Sequence, residues 1–127
     1  RNMSSAASDV YKRQAINNEL DTYSIQWTEK HSCGVVIASE GYPEDYESNK
    51  KVSIKENKIK DSKLFHAGTK YENETVLTSG GRVFCATALG SDLKDAQKNA
   101  YNLVNNVEFD GAFFRKDIGF KGIKWAF

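Results

Sequence analysis

Disulfide chemistry has little to work with here, because the 127 residues hold two cysteines, Cys33 and Cys85. A small secreted scaffold stapled by disulfides uses more, so both are read as reduced thiols buried in apolar, strand-like runs. Proline occurs once, at Pro43, and methionine once, at Met3; no low-complexity segment and no internal repeat is present. Neither sign of charge is in excess, with 18 Lys and Arg against 17 Asp and Glu. That balance argues against a nucleic-acid binder, which carries a basic surplus on one face. No apolar run approaches the roughly 20 residues a membrane-spanning helix needs, so no membrane partner is expected and the expected location is the cytoplasm. Asn73-Glu74-Thr75 matches a glycosylation acceptor, but the match is short and means nothing without secretion.

The first fourteen residues stand apart. Ser4-Ser5-Ala6-Ala7-Ser8 has no apolar period, and Asp9-Val10-Tyr11-Lys12-Arg13-Gln14 resembles the translation of a sequencing adapter. The segment is basic and Ser-rich but lacks the apolar stretch of a signal peptide and the amphipathic face of a transit peptide, so residues 1–14 are expected to be an artefactual or disordered leader. Arg1, Lys12 and Arg13 against Asp9 give it a charge of +2, which leaves the other 113 residues at −1 out of a total of +1. That length makes one domain, burying somewhat under about 70% of its unfolded surface.

Along those residues, Ala15 to Leu20 reads as the tail of a helix and Asp21 to Lys30 as an extended linker. Cys33, Val35, Val36 and Ile37 form a β-branched run that ends at Gly41 and Pro43, as a largely buried strand does. Glu44 to Lys51 is a polar loop, and Val52 to Ile59 alternates as a short edge hairpin would. Lys63 to Ala67 and Thr75 to Thr78 read as short strands joined by a turn over Gly68 to Glu74. Arg82 to Leu89 is the longest strand. Ser91 is then placed as a helix N-cap, with Asp92 favourable at the positive helix end. Leu93, Ala96, Ala100, Leu103, Val104 and Val107 follow on one face at helical spacing, with Lys94, Asp95, Lys98 and Asn102 opposite. The expectation is a small α+β domain, mainly antiparallel, with one long amphipathic helix.

Ser79-Gly80-Gly81-Arg82-Val83-Phe84 is the most informative motif. Two glycines give the backbone unusual φ freedom or let a ligand come close to it. Arg82 then offers a planar fork of donors suited to phosphate or carboxylate. The bland alternative is a tight turn followed by a surface arginine paired with an acid. Three further blocks accompany it: Val35-Val36-Ile37-Ala38-Ser39-Glu40-Gly41-Tyr42-Pro43, Phe65-His66-Ala67-Gly68-Thr69, and Phe109-Asp110-Gly111-Ala112-Phe113-Phe114-Arg115-Lys116-Asp117-Ile118-Gly119.

In this order and spacing, from about Ala15 to about Gly122, the four blocks resemble the C-terminal domain of glycinamide ribonucleotide synthetases (phosphoribosylamine–glycine ligases), enzymes of the ATP-grasp class. The resemblance implies a barrel-sandwich hybrid fold at residues 31–122, preceded at 15–30 by a linker and the tail of an ATP-grasp domain, with 123–127 a divergent tail. It implies a ligase of purine biosynthesis that joins glycine to 5-phosphoribosylamine through an acyl phosphate. ATP and magnesium (or manganese) would be held by upstream lobes on which this domain packs. No cofactor site, metal ligand or catalytic nucleophile is expected in the chain itself.

What falls to such a domain is substrate positioning and closure of the cleft. The candidate substrate-binding residues are Gly80, Gly81, Arg82, Arg115, Lys116 and Tyr42. Arg82 is the first choice for the ribosyl phosphate, and Tyr42 is placed where it lines the cleft. Arg115 and Lys116 either touch substrate or, with Asp117 orienting Arg115, form a structural ion pair. His66 is expected to be a hydrogen-bonded core histidine rather than a base. Phe109, Phe113, Phe114 and Phe120 are expected in the core, and His31 is expected in the exposed linker. Two other classes compete. A biotinyl or lipoyl carrier would need a lysine at a hairpin tip flanked by small or methionine residues, and the only methionine is Met3. A non-catalytic C-terminal hybrid-motif domain of another ATP-grasp carboxylase or transferase would lack the Gly41-Tyr42-Pro43 and Arg115-to-Gly119 blocks.

Overall fold

The computed structural model describes residues 12–22, 24 and 26–125. Of the leader set apart above, residues 1–11 lie outside the described residues, and 12–14 belong to a helical stretch over 12–16. The helix thus ends earlier than the expected tail over 15–20, and a 3-10 turn at Leu20–Thr22 enters the stretch expected as extended linker.

Among the described residues eight strands and two helices come next. They are β1 (His31–Ser39), β2 (Ser53–Ile54), β3 (Ser62–His66), β4 (Thr69–Glu72), β5 (Thr75–Thr78), β6 (Arg82–Gly90), α1 (Leu93–Val104), β7 (Val107–Glu108), β8 (Ala112–Phe113) and α2 (Phe120–Trp125). The central sheet runs β3-β6-β1-β8, every pair antiparallel. Two ribbons, β2-β7 and β4-β5, complete an α+β domain.

The core lies between this sheet and α1. Val35 and Ile37 of β1 and Phe84, Ala86 and Ala88 of β6 meet Ala96, Ala100, Leu103 and Val104 of α1, all buried. The helix residues recur at i, i+4, i+7 and i+8, the spacing that puts one stripe against a partner. Small residues set the distance: a Cβ added at Gly90 would run into the backbone of Ala96, so the start of α1 rests directly on the end of β6.

Several expectations need correcting. The N-cap of α1 is Asp92, whose side chain accepts from the Asp95 backbone N–H at 2.7 Å, while Asp95 accepts from the Ser91 N–H at 3.1 Å. The Asp92 carboxylate satisfies a first-turn N–H and the Asp95 carboxylate reaches back to the N–H before the cap, a reciprocal pair that places the helix start one residue later than expected. Val107 lies beyond the helix, in β7. The expected hairpin over 52–59 does not form, because Ser53–Ile54 pairs with Glu108 and Val107 instead. The turn over 68–74 is mostly strand, since Thr69–Glu72 pairs with Thr75–Thr78 around Asn73 and Glu74, both at positive φ. Phe109 and Phe114 pack against the core, but Phe113 is 40% exposed and Phe120 61%. Both cysteines are free; Cys33 is buried, whereas Cys85 is only partly so.

Candidate functional site

At one end of the central sheet three chain segments close on one another. β1 runs out at Ser39 and turns through Glu40, Gly41, Tyr42 and Pro43; β3 runs out at His66; β6 begins at Arg82. Ser39 N–H donates to the Gly81 carbonyl at 2.8 Å, and Gly68 N–H to the Arg82 carbonyl at 2.8 Å. Ser79 N–H donates to the Gly68 carbonyl, also at 2.8 Å. Between Ile37–Phe84 and Ala38–Arg82 the pairing slips, leaving Val83 without a partner on β1. Such a bulge bends the strand and re-aims the side chain beside it, here Arg82.

The glycines of the motif have a packing role. Gly80 and Gly81 are absent from the positive-φ positions among the described residues, which include Gly41, Gly111 and Gly119. A Cβ at Gly81 would be driven into the Tyr42 ring, and one at Gly80 would stand 3.2 Å from the Cα of Gly68. A Cβ at Gly68 would sit 2.7 Å from the Arg82 carbonyl oxygen. Gly81 is buried beneath the tyrosine, so the diglycine is a seat for Tyr42 and for the neighbouring strand end.

Over that ring stands Arg82, its guanidinium carbon 5.9 Å from the centroid. The side chain is exposed, and among the described residues no carboxylate pairs with it. An arginine lying on an aromatic face keeps its edge donors available, because the ring holds the cation through its π face. The alternative of a surface arginine tied to an acid does not describe Arg82.

It does describe Arg115. Its Nε donates to Asp117 Oδ1 at 2.9 Å and its Nη2 to Asp117 Oδ2 at 2.6 Å, a two-point pair at the surface. Those hydrogen bonds hold the Asp117 carboxyl below its usual pKa and push the arginine's up. The Arg115 carbonyl accepts from the Tyr101 hydroxyl at 2.7 Å, tying this loop to α1. Lys116 beside it is exposed. The structure thus brings Tyr42, Gly80, Gly81 and Arg82 together and commits Arg115 to a neighbour in its own loop.

His66 does make a hydrogen bond, Nδ1 to Thr69 Oγ1 at 3.1 Å, but it is exposed and not in the core. Its ring meets Phe84 edge-on with centroids 4.8 Å apart, so it caps the core from outside. Sequence reasoning missed an acidic hollow on the other side of the Tyr42 turn. A cavity of about 410 Å³ is lined by Glu40, Asp45, Tyr46, Glu47, Lys50 and Asp110, among others. Lys50, its one cation, is held by Glu47 at 2.5 Å and Asp110 at 3.3 Å, and these hydrogen bonds push its pKa up. The excess of carboxylates makes this hollow unfavourable for an anion. The spacing of Glu44, Asp45 and Glu47 hinted at such a patch, but the contributions of Glu40 and Asp110 come from pairing distant in sequence. Among the described residues no three His, Cys, Asp or Glu side chains are grouped to hold a metal, and no helix is long and apolar enough to cross a membrane.

Comparison with known proteins agrees with this architecture. The family described as phosphoribosylglycinamide synthetase, C domain, matches residues 32–121. Phosphoribosylamine–glycine ligase of Salmonella typhimurium is 46% identical over 112 residues, covering 87% of this chain and 26% of the relative. That of Pseudomonas syringae pv. tomato is 44% identical over 110 residues, covering 86% and 26%. The crystal structure of the Thermotoga maritima ligase superposes with a TM-score of 0.61 at 32% identity, over 66% of this chain and 20% of that one. The chain therefore spans about a quarter of the length of the curated relatives it matches. With most of its ordered sheet and its main helix inside the matched stretch, the chain belongs to the phosphoribosylglycinamide synthetase C-domain family.

Proposed function

We propose that this chain acts as the C-terminal part of a phosphoribosylamine–glycine ligase, the name borne by the relatives it matches. The proposed reaction consumes ATP to join glycine to 5-phosphoribosylamine, giving glycinamide ribonucleotide, ADP and phosphate. In this reading Arg82 contacts the ribosyl phosphate. The single observation that carries it is the exposed guanidinium lying on Tyr42 with its edge donors unclaimed by a carboxylate among the described residues. A two-point, charge-assisted bond to a phosphate oxygen pair suits that fork. Tyr42 fixes its direction, and Gly81 gives the ring room.

ATP and magnesium are assigned to lobes outside the chain. The acidic cavity beside the turn does not fit a triphosphate, since Glu40, Asp45, Glu47 and Asp110 outnumber Lys50. Glycine and phosphoribosylamine are small-molecule partners of the assembled enzyme.

The test is a fusion in which this chain replaces the C-terminal quarter of the Salmonella ligase. The expected result is ADP release that depends on both glycine and phosphoribosylamine, with no release from the 127-residue chain alone. A folded fusion without turnover, or activity from the chain alone, contradicts the proposal.

A further inference from the structure

Burying a hydroxyl away from water is unfavourable unless it finds a partner, so a buried polar side chain marks a place where the fold uses a particular hydrogen bond. Among the described residues the buried polar side chains are those of Ser39, 4% exposed, and Thr78, fully enclosed. They belong to β1 and β5, strands that do not pair with each other, yet both flank the diglycine loop. Ser39 N–H donates to the Gly81 carbonyl at 2.8 Å, and its Oγ donates to the Gly80 carbonyl at 3.4 Å. Thr78 ends β5, and only Ser79, Gly80 and Gly81 separate it from Arg82. It fastens that end of the loop to the chain returning from the Tyr42 turn. Its carbonyl accepts from the Asn49 N–H at 2.7 Å, its N–H donates to the Lys50 carbonyl at 2.9 Å, and its Oγ1 accepts from the Lys50 N–H at 3.0 Å. Successive N–H groups of an extended strand point to opposite sides, so Asn49 and Lys50 can both reach Thr78 only across a kink. Asn49 supplies it with a φ of 64°, in the left-handed region that asparagine tolerates.

We infer that Thr78, with Ser39, is a positioning residue for Arg82: the two hydroxyls hold the diglycine loop so that the guanidinium meets the ribosyl phosphate from one direction. The inference rests on the proposed function and adds the residues that set the arginine's geometry. Two glycines make the loop loose by composition, and ordering each residue of it costs backbone entropy. Gly80 and Gly81 are not among the positive-φ positions, so the backbone alone does not dictate the loop's shape. The shape is fixed from outside, by Ser39 on the β1 side and Thr78 on the β5 side. The same contacts reach both members of the stacked pair. Ser39 leads directly into the turn that carries Tyr42, the return of that turn ends on Thr78, and Arg82 follows the loop. Loosening either end would part the guanidinium from the ring that lies 5.9 Å from it. Threonine suits the enclosed position because its methyl fills space while its hydroxyl accepts the hydrogen bond. Valine keeps the volume and loses the acceptor, and serine does the opposite.

Steady-state kinetics of the Salmonella fusion, with each substrate varied in turn, test this. Thr78→Val should raise the KM for phosphoribosylamine about 3- to 10-fold, while kcat and the KM values for ATP and glycine stay within about twofold of the parent. Thr78→Ser should bring the phosphoribosylamine KM back to within about twofold. Placed on top of Arg82→Ala, Thr78→Val should add almost nothing, because its hydroxyl acts only through that arginine. Ser39→Ala should give the same split with a smaller rise, its Gly80 contact being the longer one, and it carries the test if Thr78→Val does not fold. An unchanged phosphoribosylamine KM in Thr78→Val, or in Ser39→Ala where that variant stands in, overturns the inference. So does a fall in kcat with all three KM values raised together, a failure of serine to rescue, or an equal penalty with and without Arg82. Hydrogen exchange, followed by peptide mass spectrometry, separates this inference from the ligase reading. In the folded Thr78→Val fusion the stretch from Ser79 to Arg82 should exchange at least about tenfold faster than in the parent. A parent fusion without turnover whose variant shows that loosening removes the ligase reading and leaves the positioning of Arg82. An active fusion in which neither the KM nor the exchange moves does the reverse.

Discussion

Arg82 opens the long strand β6 and Arg115 lies in the loop after β8; both were candidates for substrate contact, yet the fold puts them to opposite uses. Arg115 is closed on Asp117 through two hydrogen bonds within its own loop. Arg82 starts a central strand at a bulge and lies on an aromatic ring, with no described carboxylate against it. The difference teaches that an arginine's availability is set by what holds it: a carboxylate cancels its charge and takes its donors, whereas a ring holds the cation by its face and leaves both free. Position reinforces this. The Arg82 end of the sheet is where three segments meet over glycines, whereas the Arg115 loop is anchored sideways to Tyr101 of α1.

The largest effect that sharpens the contrast is kinetic. In the active fusion, Arg82→Ala should lower kcat/KM for phosphoribosylamine by about 10- to 150-fold, the loss of a charge-assisted bond of roughly 1.5–3 kcal/mol. Arg115→Ala should stay within about threefold of the parent, as a surface pair outside the site would. Equal losses from the two would erase the distinction.

Next in size is the seat under Tyr42. Gly81→Ala forces a methyl into the ring, an overpacking that costs about 1–3 kcal/mol in chemical denaturation. Adding Tyr42→Ala to Gly81→Ala should recover part of that loss, because the two changes share one contact. Strict additivity would show that the glycine serves something other than the ring. Gly80→Ala, facing only the Gly68 Cα at 3.2 Å, should cost less than Gly81→Ala.

The smallest effect is electrostatic. Asp117 has its pKa lowered by its hydrogen bonds to Arg115, so folding favours the ionised carboxylate. That contribution is present above the carboxyl's unfolded pKa and disappears as pH falls through the lowered folded value. Asp117→Asn should therefore lower Tm slightly at neutral pH, with the gap to the parent closing in acid. The pair is at the surface, so added salt should shrink the gap too. A gap that widened in acid would contradict the assignment.

Much of the fold was legible because its main elements are local and periodic. Ala96, Ala100, Leu103 and Val104 repeat at helical spacing, and Cys33, Val35 and Ile37 alternate on the buried side of β1. What was missed depends on contacts distant in sequence. Ser53–Ile54 and Val107–Glu108 are two-residue strands that exist only through each other, so neither carries a period. Thr69–Glu72 is polar at alternate and intervening positions alike, and its pairing is set by the hairpin at Asn73-Glu74. Phe113 was placed in the core for its hydrophobicity, but in a strand of two residues nothing in the sequence says which face it takes. At the site, Arg82 and the diglycine stood out as a motif, whereas the ring above Gly81 comes from Tyr42, on a turn distant in sequence that only the folded sheet brings against them.

The most direct measurement varies each substrate in turn for the fusion carrying Arg82→Ala and Arg82→Lys. If Arg82 holds the ribosyl phosphate, the KM for phosphoribosylamine rises in Arg82→Ala, those for ATP and glycine barely move, and Arg82→Lys recovers only part, keeping the charge but losing the fork. A phosphoribosylamine KM unchanged in Arg82→Ala, accompanied by a lower Tm, would make Arg82 a structural residue and contradict the account.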